Sequence, residues 1–351
     1  MSEEVAALSE RILAAAANGR ALCIRGAGSK DFYGGPLQGE PLDTGSLRGI
    51  VDYEPTELVV TARAGTPLAE LEAALAARGQ VLPFEPPRFG GGGTLGGAVA
   101  AGLSGPRRPY AGAARDFVLG LRLLDGQGRH LRFGGQVIKN VAGFDVSRLL
   151  TGSLGTLGLL TEVTLKTLPR PPAEASLHFE LDEATALRRM NEWAAQPLPL
   201  SASSYHGGML RLRLSGAEAA VHEARGKLGG VAFSGSDYWN GLRDQHGDFF
   251  KGAATLWRVS LPQTAPPLRS DAAQLIEWGG GLRWLAGPQD AAALRRQAAE
   301  LGGHATLFRG ADKSAGVFQP LPAALAQLHR RIKAVLDPAG IFNRGRLYPE
   351  F

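Results

Sequence analysis

The sequence predicts an α+β fold divided into lobes, and three observations lead there. The chain has 351 residues, long for a single hydrophobic core. Its first half alternates β-branched strand candidates with helices of apolar periodicity. Beyond "PRPP" at 169–172, which interrupts any regular element, strand-like and helix-like segments alternate again, as in an antiparallel sheet with helices on one face.

In order along the chain, Val5 to Asn18 reads as a helix with Leu8, Ile12 and Leu13 on one stripe and Gly19 ending it. "ALCIR" (21–25) is a short buried strand leading into the loop "GAGSKDFYGG". "GIVDY" and "LVVTARAG" are strand candidates, and Thr66-Pro67 supplies an N-cap and a helix-compatible proline for "LAELEAALAARG". After a glycine-rich stretch, Phe117–Leu124, the turn "DGQG" and a returning strand form a hairpin. "LGLLTEVTLKTL" (157–168) is a further strand. The second region reads "SLHFEL", "EATALRRMNEWAA", "GMLRLRL" and "AEAAVHEARGKLGG", strand and helix in turn. The last thirty-odd residues form a helix stopped at Asp337-Pro338, then a turn and a tail. The expected division is 1–170, 173–310 as a smaller α+β lobe, and 311–351 returning to the first domain.

Charged residues are 20% and apolar ones 44% of the chain, an ordinary globular balance. A net charge of +5 from scattered arginines fits an anionic ligand better than nucleic acid. The acidic opening "MSEEVAALSE" lacks the pattern of a signal peptide. No uncharged apolar run reaches the length of a membrane span, about 18 residues. Cys23 is the only cysteine, so the chain holds neither an internal disulfide nor a cysteine-ligated iron–sulfur cluster of its own. The expected compartment is the cytoplasm.

"RFGGGGTLGGAVAAG" (88–102) poses the central question. Gly91, Gly93 and Gly96 match GxGxxG, with Asp116 twenty residues beyond Gly96. A dinucleotide fingerprint of that type needs a buried strand running into the loop. The prolines of "LPFEPPRF" forbid one. Glycine-rich turns recur instead at 25–35, 90–97, 101–109 and 151–158, each beside an apolar segment. Glycine allows positive φ and close backbone approach, and successive amides make an anion nest. A helix starting near Thr94 would add its dipole and unpaired amides. Converging loops of this kind suit a long, bent ligand with a diphosphate in its middle. The plainer alternative is ordinary turns in a chain with 48 glycines.

The order of these pieces resembles the FAD-binding proteins of the vanillyl-alcohol oxidase, or PCMH, type. The pieces are Arg25-Gly26-Ala27-Gly28-Ser29, "TELVVTARAGTPLAEL", "GTLGGAVAAGLSG", "ARDFVLG" and "GSLGTLGLLTEV", with "LDPAGIFNRGR" similar to the family's ending. "LPFEPP", "SGPRRPYAG" and "LRFGGQVIKNVAGFDVSRLLTGSLGTLGLL" narrow the resemblance to the smaller flavin subunits of bacterial glycolate oxidases. It implies a PCMH-type FAD-binding domain of two α+β subdomains with a reduced antiparallel-sheet cap. It also implies a related larger flavin subunit and an iron–sulfur subunit as partners.

Carried over by position, the resemblance gives the pyrophosphate to Gly26, Ala27, Gly28, Ser29 and Lys30, with Arg25 as an auxiliary neutraliser. Thr94, Leu95, Gly96, Gly97 and Ala98 supply a second set of dinucleotide contacts. Gly102, Ser104, Gly105 and Arg107 sit beside the flavin or its phosphates. Arg115 and Asp116 open the next strand, and Gly155, Gly158, Glu162 and Val163 close over the adenine side or flavin edge. For the arginines, a solvated surface position is an equal alternative. Family members that attach FAD covalently use a His or Cys near the flavin. Here the first 129 residues contain no histidine and only Cys23, so noncovalent FAD is expected. Leu154 stands where the family usually has Glu.

Flavin enzymes acting on 2-hydroxy acids also need a proton acceptor, often with a metal. The seven histidines, at 130, 178, 206, 222, 246, 304 and 329, show no HxH, HxxxH or HxxxxH spacing, and no metal site is expected. His206, after a strand and before Gly-Gly, has the best claim to catalysis. Tyr205, Tyr238, Arg211 and Arg213 are possible substrate contacts, and for each of the five ordinary packing is the plainer reading. Two functions follow. The chain is a flavin subunit oxidising a 2-hydroxy acid such as glycolate, or relaying electrons to a separate acceptor. Alternatively, it is a non-catalytic subunit stabilising a catalytic flavoprotein.

Overall fold

The computed structural model describes residues 2–90, 92–135 and 144–351. They form two compact units that interleave along the chain. The first comprises Met1–Leu103, Ala113–Pro169 and Pro320–Phe351; the second comprises Ser104–Gly112 and Arg170–Gln319. One boundary between the units falls between Pro169 and Arg170, within "PRPP". Two segments differ from the expected division: Ser104–Gly112 and residues 311–319 belong with the second unit. The segment Ser104–Gly112 is tied there by the Trp278 Nε1–H donating to the Gly105 carbonyl at 3.1 Å, and by Arg108 stacked 4.4 Å from the Trp278 ring.

Among the described residues the first unit holds three sheets, the smallest pairing Gln80–Val81 with Leu168–Pro169. Leu22–Arg25 pairs in parallel with Glu40–Asp43. A five-stranded sheet runs in the order Ile50–Glu54, Val59–Arg63, Leu159–Lys166, Val118–Leu124, His130–Gly134, every neighbour antiparallel. The hairpin at "DGQG" forms as its turn chemistry requires: the Asp125 carboxylate accepts from the amides of Gln127 at 3.0 Å and Arg129 at 2.9 Å. The helix Glu3–Ala17 buries Val5, Leu8 and Ile12 against Leu22, Leu42, Leu124, Ile341 and Phe342. Leu13, expected on that stripe, is 50% exposed, because the buried arc is centred on the 5, 8, 12, 15 positions. The helix Leu68–Ala76 is capped at Pro67, without a side-chain cap; Thr66, the expected cap, instead accepts from the Gly49 amide at 2.9 Å.

The second unit is an eight-stranded antiparallel sheet. Three helices, Glu183–Ala194, Glu218–Leu228 and Ala291–Glu300, bury Leu187, Met190, Val221, Leu294 and Ala298 against one face. A fourth helix, Ser236–Asp244, departs from the one-face expectation. It places Tyr238 on Ser204 and Trp239 on Ser176 (Nε1 to Oγ 2.9 Å), which the strand register assigns to the opposite face. Ser176, Ser204 and Arg211 make that part of the face polar, so the helix is held there by hydrogen bonds and by Arg211 stacking 4.7 Å from Tyr238, beside buried Trp239 and Leu242.

Candidate functional site: a glycine-lined cleft

Within the first unit, the end of strand Leu22–Arg25 turns into Gly26–Ser29 and opens a cleft with about 760 Å³ of empty space, part of it open to solvent. Its lining includes Arg25, Gly26, Ala27, Gly28, Ser29, Lys30, Thr94, Gly96, Gly97, Gly155 and Gly158. Two segments almost seventy residues apart in sequence thus meet, and Gly26 shows why one of them must be glycine. A Cβ on Gly26 would lie 2.5 Å from Thr94 Oγ1, so no side chain fits between the loops.

The first loop carries its charges close together. Arg25 pairs with the Asp31 carboxylate, and Lys30 Nζ lies 5.5 Å from the centre of the Phe89 ring. The amides of Ala27, Gly28 and Ser29 have no hydrogen-bond partner among the described residues. Successive free amides beside cations make a cradle for an anion.

The second segment behaves differently. Thr94 caps the helix Leu95–Ala101, its hydroxyl accepting from the Gly97 amide at 3.2 Å. The Leu95 amide donates to Thr66 O at 2.9 Å and the Gly96 amide to Ala64 O at 2.7 Å. The expected unpaired amides at this helix start are therefore spent inside the protein. Thr94, Gly96 and Gly97 give the cleft a wall of small groups rather than a set of donors.

The remaining expected site residues stand elsewhere. Leu95 and Ala98 are each 1% exposed, in the core side of the helix. Gly102 ends that helix with φ +62°. Ser104, Gly105 and Arg107 lie in the second unit, where Arg107 approaches Glu174 at 3.3 Å. Arg115 and Asp116 are exposed, and the Asp116 carboxylate accepts from the Ala113 amide at 2.8 Å. Glu162 faces Arg122 at 3.6 Å, and Val163 is wholly buried. Gly91 falls outside the described residues.

The cleft also has walls that motif reading passed over: Ile24, Asp31, Leu37, Thr44, Ala64, Ala100, Ala101, Leu154, Leu160, Asn343 and Arg346. The tail "IFNRGR" was the available signal for the last two. Asn343 accepts from the Ile24 amide at 2.6 Å and donates to the Leu154 carbonyl at 2.6 Å. It brackets the first loop against the fourth, where Gly155 has φ +72° and a Cβ would meet Asn343 Nδ2 at 2.6 Å. Lys333 anchors the same tail: buried, it donates to Asp337 at 2.7 Å and to the carbonyls of Thr156 at 2.6 Å and Phe342 at 2.9 Å. Burial pushes its pKa down, with Asp337 opposing that shift.

Cys23 is buried next to the cleft but not among its lining residues. Burial holds its thiol above the ordinary value despite the nearby Arg346 charge. In the second unit, His206 Nδ1 lies 2.8 Å from the Gln274 carbonyl and its ring meets Phe249 edge-on. Among the described residues no group of three or more His, Cys, Asp or Glu is placed to hold a metal, and no helix is long and apolar enough to cross a membrane.

Comparison with known proteins fits this architecture. A family model described as an FAD binding domain matches residues 2–134. The fold is shared with alkyldihydroxyacetonephosphate synthase, with a TM-score of 0.65 and 14% identity over 96% of this chain and 74% of that one. Together they give the PCMH-type α+β fold read from the sequence. Glycolate oxidase subunit GlcD of Bacillus subtilis (strain 168) is 32% identical over 131 residues, 37% of this chain and 28% of that one. Glycolate oxidase subunit GlcE of Escherichia coli (strain K12) is 50% identical over 344 residues, 98% of this chain and 97% of that one. With the glycine-lined cleft in the matched domain and half of all residues shared over nearly the whole of both chains, the protein belongs to the glycolate oxidase subunit GlcE family of FAD-binding oxidoreductase subunits.

Proposed function

We propose that this chain is the flavin-holding subunit of a complex that oxidises a small 2-hydroxy acid such as glycolate, with FAD bound noncovalently. The observation that carries this reading is the free-amide loop Ala27–Ser29 meeting the small-residue wall Thr94–Gly97 in one cleft. The residues fit a dinucleotide: three unpartnered amides and Lys30 for a diphosphate, and Ile24, Ala64, Leu154 and Leu160 for apolar ring surface. FAD held there would supply the redox chemistry, taking two electrons from the hydroxy acid. No histidine or cysteine is among the lining residues, which supports a noncovalent link. The lone, buried Cys23 leaves no ligands for a cluster, so electrons pass to a separate iron–sulfur subunit or another acceptor. The match to GlcD supports a related larger flavin subunit as partner.

A second reading has its own support. His206, the best candidate for catalysis, is engaged with the Gln274 carbonyl. The chain could therefore stabilise a catalytic flavoprotein while doing no chemistry itself. The absorption spectrum of the purified protein, before and after denaturation, decides. Flavin bands that shift on denaturation and bleach with glycolate are expected. A colourless protein that takes up no FAD would sink the first reading. Flavin that bleaches with dithionite but not glycolate would exclude glycolate oxidation by this chain and leave an electron relay or the stabilising role.

A further inference from the structure

Arg346 is a buried charge that the loop pattern does not explain. It is 5% exposed and lines the cleft. Its guanidinium donates to the carbonyls of Asp31 (3.2 Å), Tyr33 and Gly35, and its own carbonyl accepts from the Gly35 amide at 2.8 Å. Among the described residues no carboxylate lies within ion-pair distance of it, and the nearby Asp31 carboxylate is paired with Arg25. Burying a guanidinium without a carboxylate costs desolvation energy that carbonyl dipoles offset only in part. Burial accordingly pushes its pKa down.

Carbonyl contacts alone do not imply a ligand. Arg283, in the second unit, is also fully buried and donates to the carbonyls of Gly280, Ala265 and Pro266. Its role is to tie loops together. Arg346 differs in place, because it forms the wall of a cleft whose neighbouring loop presents the unpartnered amides of Ala27, Gly28 and Ser29. A fixed positive charge behind a row of free amides is an electrostatic setting made for an anion.

We propose that Arg346 is the counter-charge of the cofactor's diphosphate, acting from behind the first glycine loop as a positioning residue. Its donors are spent on the loop, so it works through its field and by fixing residues 31–35, while Asn343 brackets the loop's edge. This rests on the FAD reading above, and ADP and riboflavin separate the two. The test titrates FAD, ADP and riboflavin into full-length, flavin-stripped protein and follows the apoprotein's thermal midpoint. For R346Q, FAD and ADP binding should weaken about tenfold or more, the size of one charge-assisted interaction. Riboflavin affinity should stay unchanged, and R346K should restore most of the loss. Equal losses for riboflavin and ADP, or a lowered thermal midpoint with unchanged ADP affinity, would overturn the proposal. Should R346Q not fold, R346K decides by itself. ADP affinity within about threefold of wild type supports a charge effect, and a loss of about tenfold rules it out. Wild-type protein that binds ADP, with the R346Q effect, but not FAD would end the FAD reading and leave the role of Arg346 standing.

Discussion

Asn343 and His130 show how single side chains carry more than their residue type announces. Asn343 sits at φ +41°, a left-handed conformation that Asn tolerates better than most residues. Both of its amide atoms are used to join loops that are 319 and 189 residues away. The ending "LDPAGIFNRGR" marks the tail, but nothing in it says which loops Asn343 joins. His130 is half-buried, with Nε2 2.9 Å from Thr161 Oγ1. Burial, then the nearby Arg122 charge, lowers its pKa below the ordinary 6.5. Between the folded and unfolded values the unfolded chain binds more protons, so stability falls as pH drops below about 6.5. H130Q should flatten that slope, measured as urea midpoints between about pH 7 and 5; an unchanged slope would show that other groups carry it. Arg346 lies in the same ending, yet its burial was not legible there, because it depends on a loop more than three hundred residues earlier.

Among the elements, the helix Leu95–Ala101 was the best read and the most revised. Its start at Thr94, its glycine stop at 102 and its place on the cleft all follow from "TLGGAVAAG". Its hydrogen bonds did not follow, since they depend on Thr66 and Ala64, which arrive from another element. What the helix offers a ligand is room. A Cβ on Gly97 would meet only Thr94 Oγ1, at 3.1 Å. G97F should therefore fold, with an unfolding midpoint near wild type, yet purify with little or no flavin. Flavin content equal to wild type would show that the cofactor does not run past this wall. The strands were legible wherever β-branched runs or turn chemistry marked them. The helix Ser236–Asp244 was not, because hydrogen bonds and stacked guanidinium groups hold it beside buried Trp239 and Leu242.

At the scale of the whole molecule, the α+β class was legible because periodicity is a local signal. The interleaving of the two units was not, because it depends on which distant segment completes which core. Ile341 and Phe342 are each 0% exposed and complete the cluster built by Val5, Leu8, Ile12, Leu22 and Leu42. Removing either large side chain from such a site costs about 2–5 kcal/mol. A protein ending at residue 169 loses both, together with Asn343, Lys333 and Arg346. It should show no cooperative thermal transition and retain no FAD. A sharp transition with bound flavin would mean that the first domain is self-sufficient without the tail.

The bracket at Asn343 also has a consequence for the order of events during synthesis. Residues 337–346 leave the ribosome about three hundred residues after the loop they hold, with the whole second unit made in between. The cleft is thus finished only near the end of translation. Chains cut short before that point would emerge without a completed flavin site, so cofactor loading would also report that the protein was made through to its tail.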